Sequence, residues 1–384
     1  MTVFDEHHHY VSDQVRISAY RKALQELIRP TDVVLDFASG TGILGMLACE
    51  AGAARVYSVE VTSLIGVARQ ITAKNGFEDR IKFIKGFSTS IELPEKVDVI
   101  VADQIGFFGQ SSGMIGELLD LSQRFLKPGG VVIPNSLDFW VAPIECPELR
   151  EVVDFWSLQS TGFDLSPLRP LAVNTAYPKH LKSENILAEP YLGASLQLPS
   201  AGDLPLRIDK EFNIARKGVL HGIAGWFSAQ LSPSVSMTNS PLASHKMNRH
   251  LKVCPIEDAI SVAAGDRVRL RMLLRPADQS VSWVVEVLCP ESDSLARRRV
   301  FRHSTLKGIL LCREDLDRRK PDYTPTASEL GKVTAYVLAL CDGAKTVREI
   351  EESLQKQFPS LCPTPADAGT LATSILAKYA ADRD

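Results

Sequence analysis

Residues 33–60 read VVLDFASGTGILGMLACEAGAARVYSVE, and the fold turns on this stretch. At 33–37, Val33, Val34, Leu35 and Phe37 surround one carboxylate, Asp36, as in a short buried strand. ASGTG at 38–42 is a tight turn whose two glycines, Gly40 and Gly42, let the backbone approach a ligand closely. Residues 43–50 are helical in character, with Ile43, Leu44 and Leu47 spaced to face a sheet. RVYSV at 55–59 is the next strand and delivers Glu60 at its end, where a carboxylate can accept both hydroxyl protons of a ribose diol.

The turn does not follow the dinucleotide spacing G-x-G-x-x-G and holds no Arg or Lys to compensate phosphates. A neutral turn followed by an acidic strand end favours a nucleoside without phosphates, and S-adenosylmethionine is the candidate. Asp36, Ala38, Ser39, Gly40, Gly42 and Glu60 are the expected contacts. DFASGTGIL, with KVDVIVADQIGFF and LKPGGVVIP further on, resembles the class I methyltransferases, in particular the protein arginine methyltransferases. That resemblance implies an α/β, doubly wound, Rossmann-like methyltransferase domain followed by a β-barrel.

Composition sets the frame for this reading. The 384 residues exceed one ordinary core, so two or three domains are expected. Apolar content of 45% and charged content of 23% are those of a soluble globular protein, and a net charge of -3 offers no electrostatic footprint for nucleic acid. The seven cysteines are scattered without a C-x-x-C pair, which suits a reducing cytoplasm and argues against a disulfide framework or zinc site. The opening MTVFDEHHHY is not a signal peptide, and no apolar run reaches membrane-spanning length. Its three histidines lack a supporting ligand cluster, so a solvated segment and no metal are expected.

Residues 11–27 read as a helix, with Val15, Ala19, Leu24 and Leu27 near one face. The segment is similar to the one that closes over the cofactor in arginine methyltransferases, which places Arg16 against the methionine carboxylate. A helix at 64–75 and a strand at 81–84 lead to a turn at 86–89. By the resemblance that turn meets the adenine edge, making Ser88 and Thr89 candidate contacts, although the family usually has an acidic residue there. VDVIVA at 97–102 is a buried strand ending in Asp103, and a helix at 113–125 precedes a strand at 131–134. Alternation of this kind predicts a mostly parallel sheet with ligand at the carboxyl ends of its strands.

From about Trp140, prolines and short β-prone runs replace helical periodicity. The clearest strands are 218–231, 250–253, 267–274 and 282–288, and RVRLRMLL alternates as a half-buried antiparallel strand does. The family's barrel contributes a Thr-His-Trp loop to the active site, and by resemblance His245 matches its His, with Ser244 and Lys246 in place of the Thr and Trp. The last 80 residues carry two capping boxes, at 326–329 and 346–349, and three amphipathic helices. LALCDGAKTVREI is similar to the winged-helix domain of the PqqD proteins, which bind precursor peptides, with strands expected at 300–312.

Arginine methyltransferases grip guanidinium between two glutamates on one loop. Here the first position is Asp103, and the second falls on Ser112 in an ungapped register back from the 127–130 turn. With one carboxylate shortened and the other missing, an acceptor other than arginine is expected. Asp103, Ser112 and His245 are the catalytic candidates. The sequence thus reads as three domains, 1–143, 144–302 and 303–384. Its expected function is methylation, from S-adenosylmethionine, of a ribosomally made precursor peptide recruited by a PqqD-like (RiPP recognition) domain. Two alternatives stay open: an arginine N-methyltransferase with an altered acceptor loop, and a non-catalytic leader-binding partner. A homodimer is compatible with each.

Overall fold

The computed structural model describes residues 3–106, 113–158, 161–199, 205–275, 278–289 and 297–380. The chain divides into two units, Met1–Ile309 and Leu310–Asp384. The first opens with α1 (Val3–Ser12) and α2 (Gln14–Leu27), where the sequence suggested a solvated tail and one helix over 11–27. Asp13 breaks that helix in two: its carboxylate accepts from Arg16 N at 3.2 Å and caps α2. The buried face of α2 carries Arg16, Ile17, Tyr20, Ala23 and Leu24 and packs against α3 (Ile43–Glu50). Tyr20 and Leu24 are fully buried, each a contribution of roughly 1.5–3 kcal/mol.

Between and after these helices run β1 (Val33–Phe37), β2 (Arg55–Glu60), α4 (Leu64–Lys74), β3 (Ile81–Lys85), β4 (Val97–Ala102), α5 (Met114–Phe125) and β5 (Leu126–Ile133). The strands form one parallel sheet in the order β3-β2-β1-β4-β5, the expected doubly wound architecture. All five residues of β1 are buried, as a strand covered on both faces requires. The order reverses between β1 and β4, so a crevice opens where the chain leaves those two strands.

The remainder of this unit is antiparallel. β6 (Ser136–Ile144) is followed by a helical arm, α6 (Pro147–Asp154) and α7 (Arg169–Val173), which the sequence reading did not foresee. Then come β7 (Tyr177–Lys179), β8 (Tyr191–Gln197), β9 (Leu206–Asn213), β10 (Gly218–Gln230), β11 (Ser236–Thr238), β12 (Leu251–Val262), β13 (Arg267–Arg275), β14 (Ser280–Cys289) and β15 (Arg297–Ser304). One sheet runs β7-β12-β10-β6-β8 with β11 on β10, and the other β15-β14-β13-β9. β13 alternates as expected: Val268, Leu270, Met272 and Leu274 are buried, while Arg269 points out to Asp209. A single core continues from Ile17 on α2 to Phe301 on β15, so both halves form one body. β6 lies before the expected border at 143/144 yet pairs with barrel strands, and β15 spans the one at 302/303.

The second unit holds α8 (Arg313–Asp317), α9 (Glu329–Ala339), α10 (Val347–Gln357) and α11 (Pro365–Tyr379) around Val333, Val337, Ile350, Leu354 and Ala372. Thr346 and Glu349 form the expected capping box, but Ser328 rather than Thr326 caps α9. The winged helix expected here is corrected: no strand occurs among the described residues of this unit. The strand sought at 300–312 instead ends at Ser304, because Arg297–Ser304 pairs along β14 as part of the barrel sheet.

Candidate functional site

Four strand ends of the parallel sheet line a cleft of about 400 Å³, closed from the side by α1 and α2. At its centre lies the turn after β1. Ala38, Gly40 and Gly42 take φ of 53°, 54° and 78°, a left-handed run that brings backbone amides to the cleft. Gly40 N donates to the Glu60 carboxylate at 2.9 Å, and Thr62 N donates to its other oxygen at 2.8 Å. Each carboxylate oxygen has two lone pairs, so Glu60 keeps acceptor sites for a diol after both bonds are made. Ser39 is buried and lines the cleft, and its Oγ has no hydrogen-bond partner. A buried hydroxyl without a partner is costly unless a ligand meets it, so this end fits an adenosyl cofactor.

Asp36 and Gly42 support this turn without lining the cleft. The Asp36 carboxylate lies beneath it, accepting from Gly45 N at 2.9 Å and Ser58 Oγ at 3.2 Å. Burial pushes its pKa up to about 7 against those two hydrogen bonds. Gly45 must be glycine: a Cβ there would stand 2.8 Å from Ser58 Oγ and 3.0 Å from Asp36 Oδ2. Gly42 starts α3, and a Cβ on it would press on Phe83 at 3.3 Å.

The other end of the cleft is built around Asp103, just past β4. Its carboxylate forms an ion pair with Arg16 and accepts from the Tyr20 hydroxyl at 3.2 Å. Tyr20 also donates to Ala102 O at 2.8 Å, fixing the helix to the strand end. Burial raises the Asp103 pKa, opposed by the guanidinium of Arg16 and then that of Arg249. Arg16 lines the cleft, and there its guanidinium contacts Asp103. The Tyr10 ring from α1 covers Arg16 at 4.1 Å and approaches Arg249 at 5.4 Å.

The remaining expected residues divide. Ser88 is buried in the cleft wall, whereas Thr89 is exposed and does not line it. His245 is also exposed and outside the cleft; the barrel residue that reaches it is Arg249, four residues on. Asn248 N donates to Asp13 Oδ2 at 2.8 Å, which ties this part of the barrel to the break between α1 and α2. Ser112 lies outside the described residues.

Sequence reasoning missed His7, Tyr10, Glu117 and Arg249. A Cβ on Gly40 would lie 2.9 Å from His7 Cε1, so His7 lies over the turn, while His8 and His9 are exposed as expected of a solvated segment. Glu117 stands in the first turn of α5, at the cleft wall beside Ser88, whose Oγ lies 3.5 Å from its carboxylate. Burial raises the pKa of Glu117 against that bond. Its place in the first helical turn, favoured for a carboxylate, was a usable signal. Among the described residues no group of three or more His, Cys, Asp or Glu could hold a metal ion, and no helix is long and apolar enough to cross a membrane.

Comparison with known proteins meets this geometry. Residues 136–284 match the profile described as arginine methyltransferase oligomerization subdomain, and residues 20–136 that of ribosomal protein L11 methyltransferase (PrmA). The chain is 30% identical over 249 residues to protein arginine N-methyltransferase 6 of Xenopus laevis, covering 61% of this chain and 73% of the relative. It is 30% identical over 291 residues to the protein of that name in Danio rerio, covering 71% and 82%. Among solved structures it resembles the Trypanosoma brucei PRMT1 enzyme–prozyme heterotetrameric complex with AdoHcy. That match has a TM-score of 0.68 at 23% identity, over 77% of this chain and 97% of that one. The Arabidopsis thaliana protein arginine methyltransferase 10 structure gives 0.65 at 22%, over 77% and 96%.

These findings overturn the expectation of a precursor-peptide methyltransferase with a non-arginine acceptor. That expectation rested on one missing loop glutamate and on a winged helix whose strands belong to the barrel sheet. The methyl donor of the matched enzymes is S-adenosylmethionine, in keeping with the phosphate-free turn and Glu60. On an identity of 30% across 82% of the Danio rerio relative, the chain belongs to the protein arginine N-methyltransferase family.

Proposed function

We propose that this chain transfers a methyl group from S-adenosylmethionine to arginine side chains of proteins. The observation that carries the reading is one cleft joining a phosphate-free nucleoside cradle, at Ser39, Gly40 and Glu60, to a half-buried carboxylate, Asp103, at the sheet's switch point. When bound, the cofactor supplies an electrophilic methyl on a sulfonium whose thioether leaves without acid catalysis. Ala38, Ser39 and Gly40 receive it along the turn, Glu60 takes the ribose diol, and Ser88 lies at the base end. Asp36 and Gly42 hold the turn from below. Arg16 has five N–H donors, enough to keep Asp103 and still offer some to the methionine carboxylate.

Asp103 aims the acceptor guanidinium through a charge-assisted hydrogen bond and takes the proton that methylation releases. In sequence register Ser112 matches the family's second loop glutamate, so a hydroxyl replaces that carboxylate in the chain. α1 and α2 wall one side of the cleft, where His7 and Tyr10 line it. We further infer self-association through the helical arm, whose Phe155, Leu158 and Phe163 are 41%, 57% and 75% exposed, in line with the oligomerization profile over this region. The free cysteines support a cytoplasmic location. The division is then a cofactor domain through β5, a barrel through β15, and a helical C-terminal unit.

The test is incubation of the full chain with methyl-labelled S-adenosylmethionine and an arginine-rich protein, with sites mapped by tandem mass spectrometry. Label on arginine is the expected result. Label confined to another residue type, or none from protein that demonstrably binds the cofactor, would overturn the reading.

A further inference from the structure

The base end of the cleft has a carboxylate that no turn residue supplies. β1 and β2 carry the turn and Glu60, and the next strand outward is β3, at the ordinary spacing of about 4.8 Å between strands. A nucleoside whose ribose rests at the end of β2 therefore extends its base past the end of β3, over residues 86–88. Two apolar side chains at the cleft wall flank that place. Val61 and Phe87 are 42% and 69% exposed, faces on which a flat ring can lie. The turn itself offers no acid: Phe87, Ser88 and Thr89 follow Gly86. Glu117 comes instead from the first turn of α5 and reaches the same wall, within 3.5 Å of Ser88 Oγ.

We propose that Glu117 reads the 6-position of the cofactor's base, accepting the N–H of adenine's exocyclic amine with Ser88 holding the carboxylate in place. The inference rests on the S-adenosylmethionine reading and adds the residue that selects adenine. A carboxylate is acceptor-only when ionised, so it favours a 6-amino purine and opposes a 6-oxo purine, whose O6 would face it lone pair to lone pair. Ser88 donates its hydroxyl to one oxygen, Oε1, and leaves the second oxygen to the ligand. Thr89, exposed and off the cleft, has no part in this selection.

The test is calorimetric titration of the full chain with S-adenosylhomocysteine and with S-inosylhomocysteine, its 6-oxo analogue. Wild type is expected to favour the amino ligand by about tenfold or more, the size of one charge-assisted hydrogen bond. Glu117→Gln, whose amide can donate to O6, should reduce that ratio to about twofold or invert it. Thr89→Ala should keep the wild-type ratio. A ratio changed by loss of fold would not distinguish the ligands, so the comparison is immune to a merely structural role. Failure of the wild type to bind either ligand overturns the cofactor reading and this inference with it. Tight binding of S-adenosylhomocysteine with no preference, or a preference that Glu117→Gln preserves, overturns the role of Glu117 alone.

Discussion

The two ends of one cleft are built differently. The cofactor end comes from a continuous stretch, with the turn at 38–42 and Glu60 joined by the Gly40 N–H bond and underpinned by Asp36. The other end, where we propose that the acceptor binds, is assembled from distant segments: Arg16 and Tyr20 on a helix, Asp103 87 residues after Arg16, and Arg249 from the barrel. A local motif fixes chemistry through backbone conformation, so its residues announce themselves by type and spacing. A composite site fixes chemistry through side-chain partners, and its charges mean little until those partners are known. Asp103 illustrates this: it sits against the guanidinium of Arg16 at the point where α2 meets β4.

The comparison can be broken in order of expected effect. Arg16→Met should cost about 2–4 kcal/mol in urea unfolding, because it leaves a half-buried carboxylate without its ion-pair partner, and adding Asp103→Asn should recover most of that loss. A cost below about 1 kcal/mol would mean that the acceptor end is not organised by this pair. Next is a pH effect at the cofactor end. The folded pKa of Asp36 is about 7, above the unfolded value near 3.9, so the folded state binds the extra proton between them. Stability from this group is fully present below the unfolded value and is lost as pH rises through about 7. Wild type should lose roughly 2–4 kcal/mol over that window relative to Asp36→Asn. Parallel pH profiles of the two proteins would contradict the buried-carboxylate account.

Glu60→Ala should weaken S-adenosylhomocysteine binding by about 1–3 kcal/mol by calorimetry, while leaving Asp103 and Arg16 in place. The smallest effect belongs to His245→Ala. An exposed side chain outside the cleft should change turnover and stability by no more than about 0.5 kcal/mol. A large loss of activity there would restore the barrel histidine to the site.

What could be read in the sequence follows the same division. The parallel sheet, the turn, Glu60 and the clean alternation of β13 were legible because each depends on residues near in the chain. Arg16 was legible as a cleft residue through its resemblance, but its contact with Asp103 was not, since nothing local links them. His245 and Arg249 lie four residues apart in one segment between β11 and β12, and residue type favoured the histidine while geometry favoured the arginine. Glu117 was missed because nothing local in the sequence links it to the turn at 86–89, yet a first-turn position on α5 brings it beside Ser88. The C-terminal caps gave the helices correctly, but caps report helix starts and cannot say which sheet a neighbouring strand will join.

The division of labour along the cleft is tested most directly by Asp103→Asn, with cofactor binding and methyl transfer measured on the same preparation. S-adenosylhomocysteine affinity should stay within about twofold, because Ser39, Gly40 and Glu60 are untouched and Arg16 gains freedom to meet the methionine carboxylate. Methyl transfer to arginine should fall by about a hundredfold or more, the usual scale for loss of a positioned proton acceptor. Transfer that persists at wild-type rate with binding intact would contradict the placement of the acceptor end at Asp103.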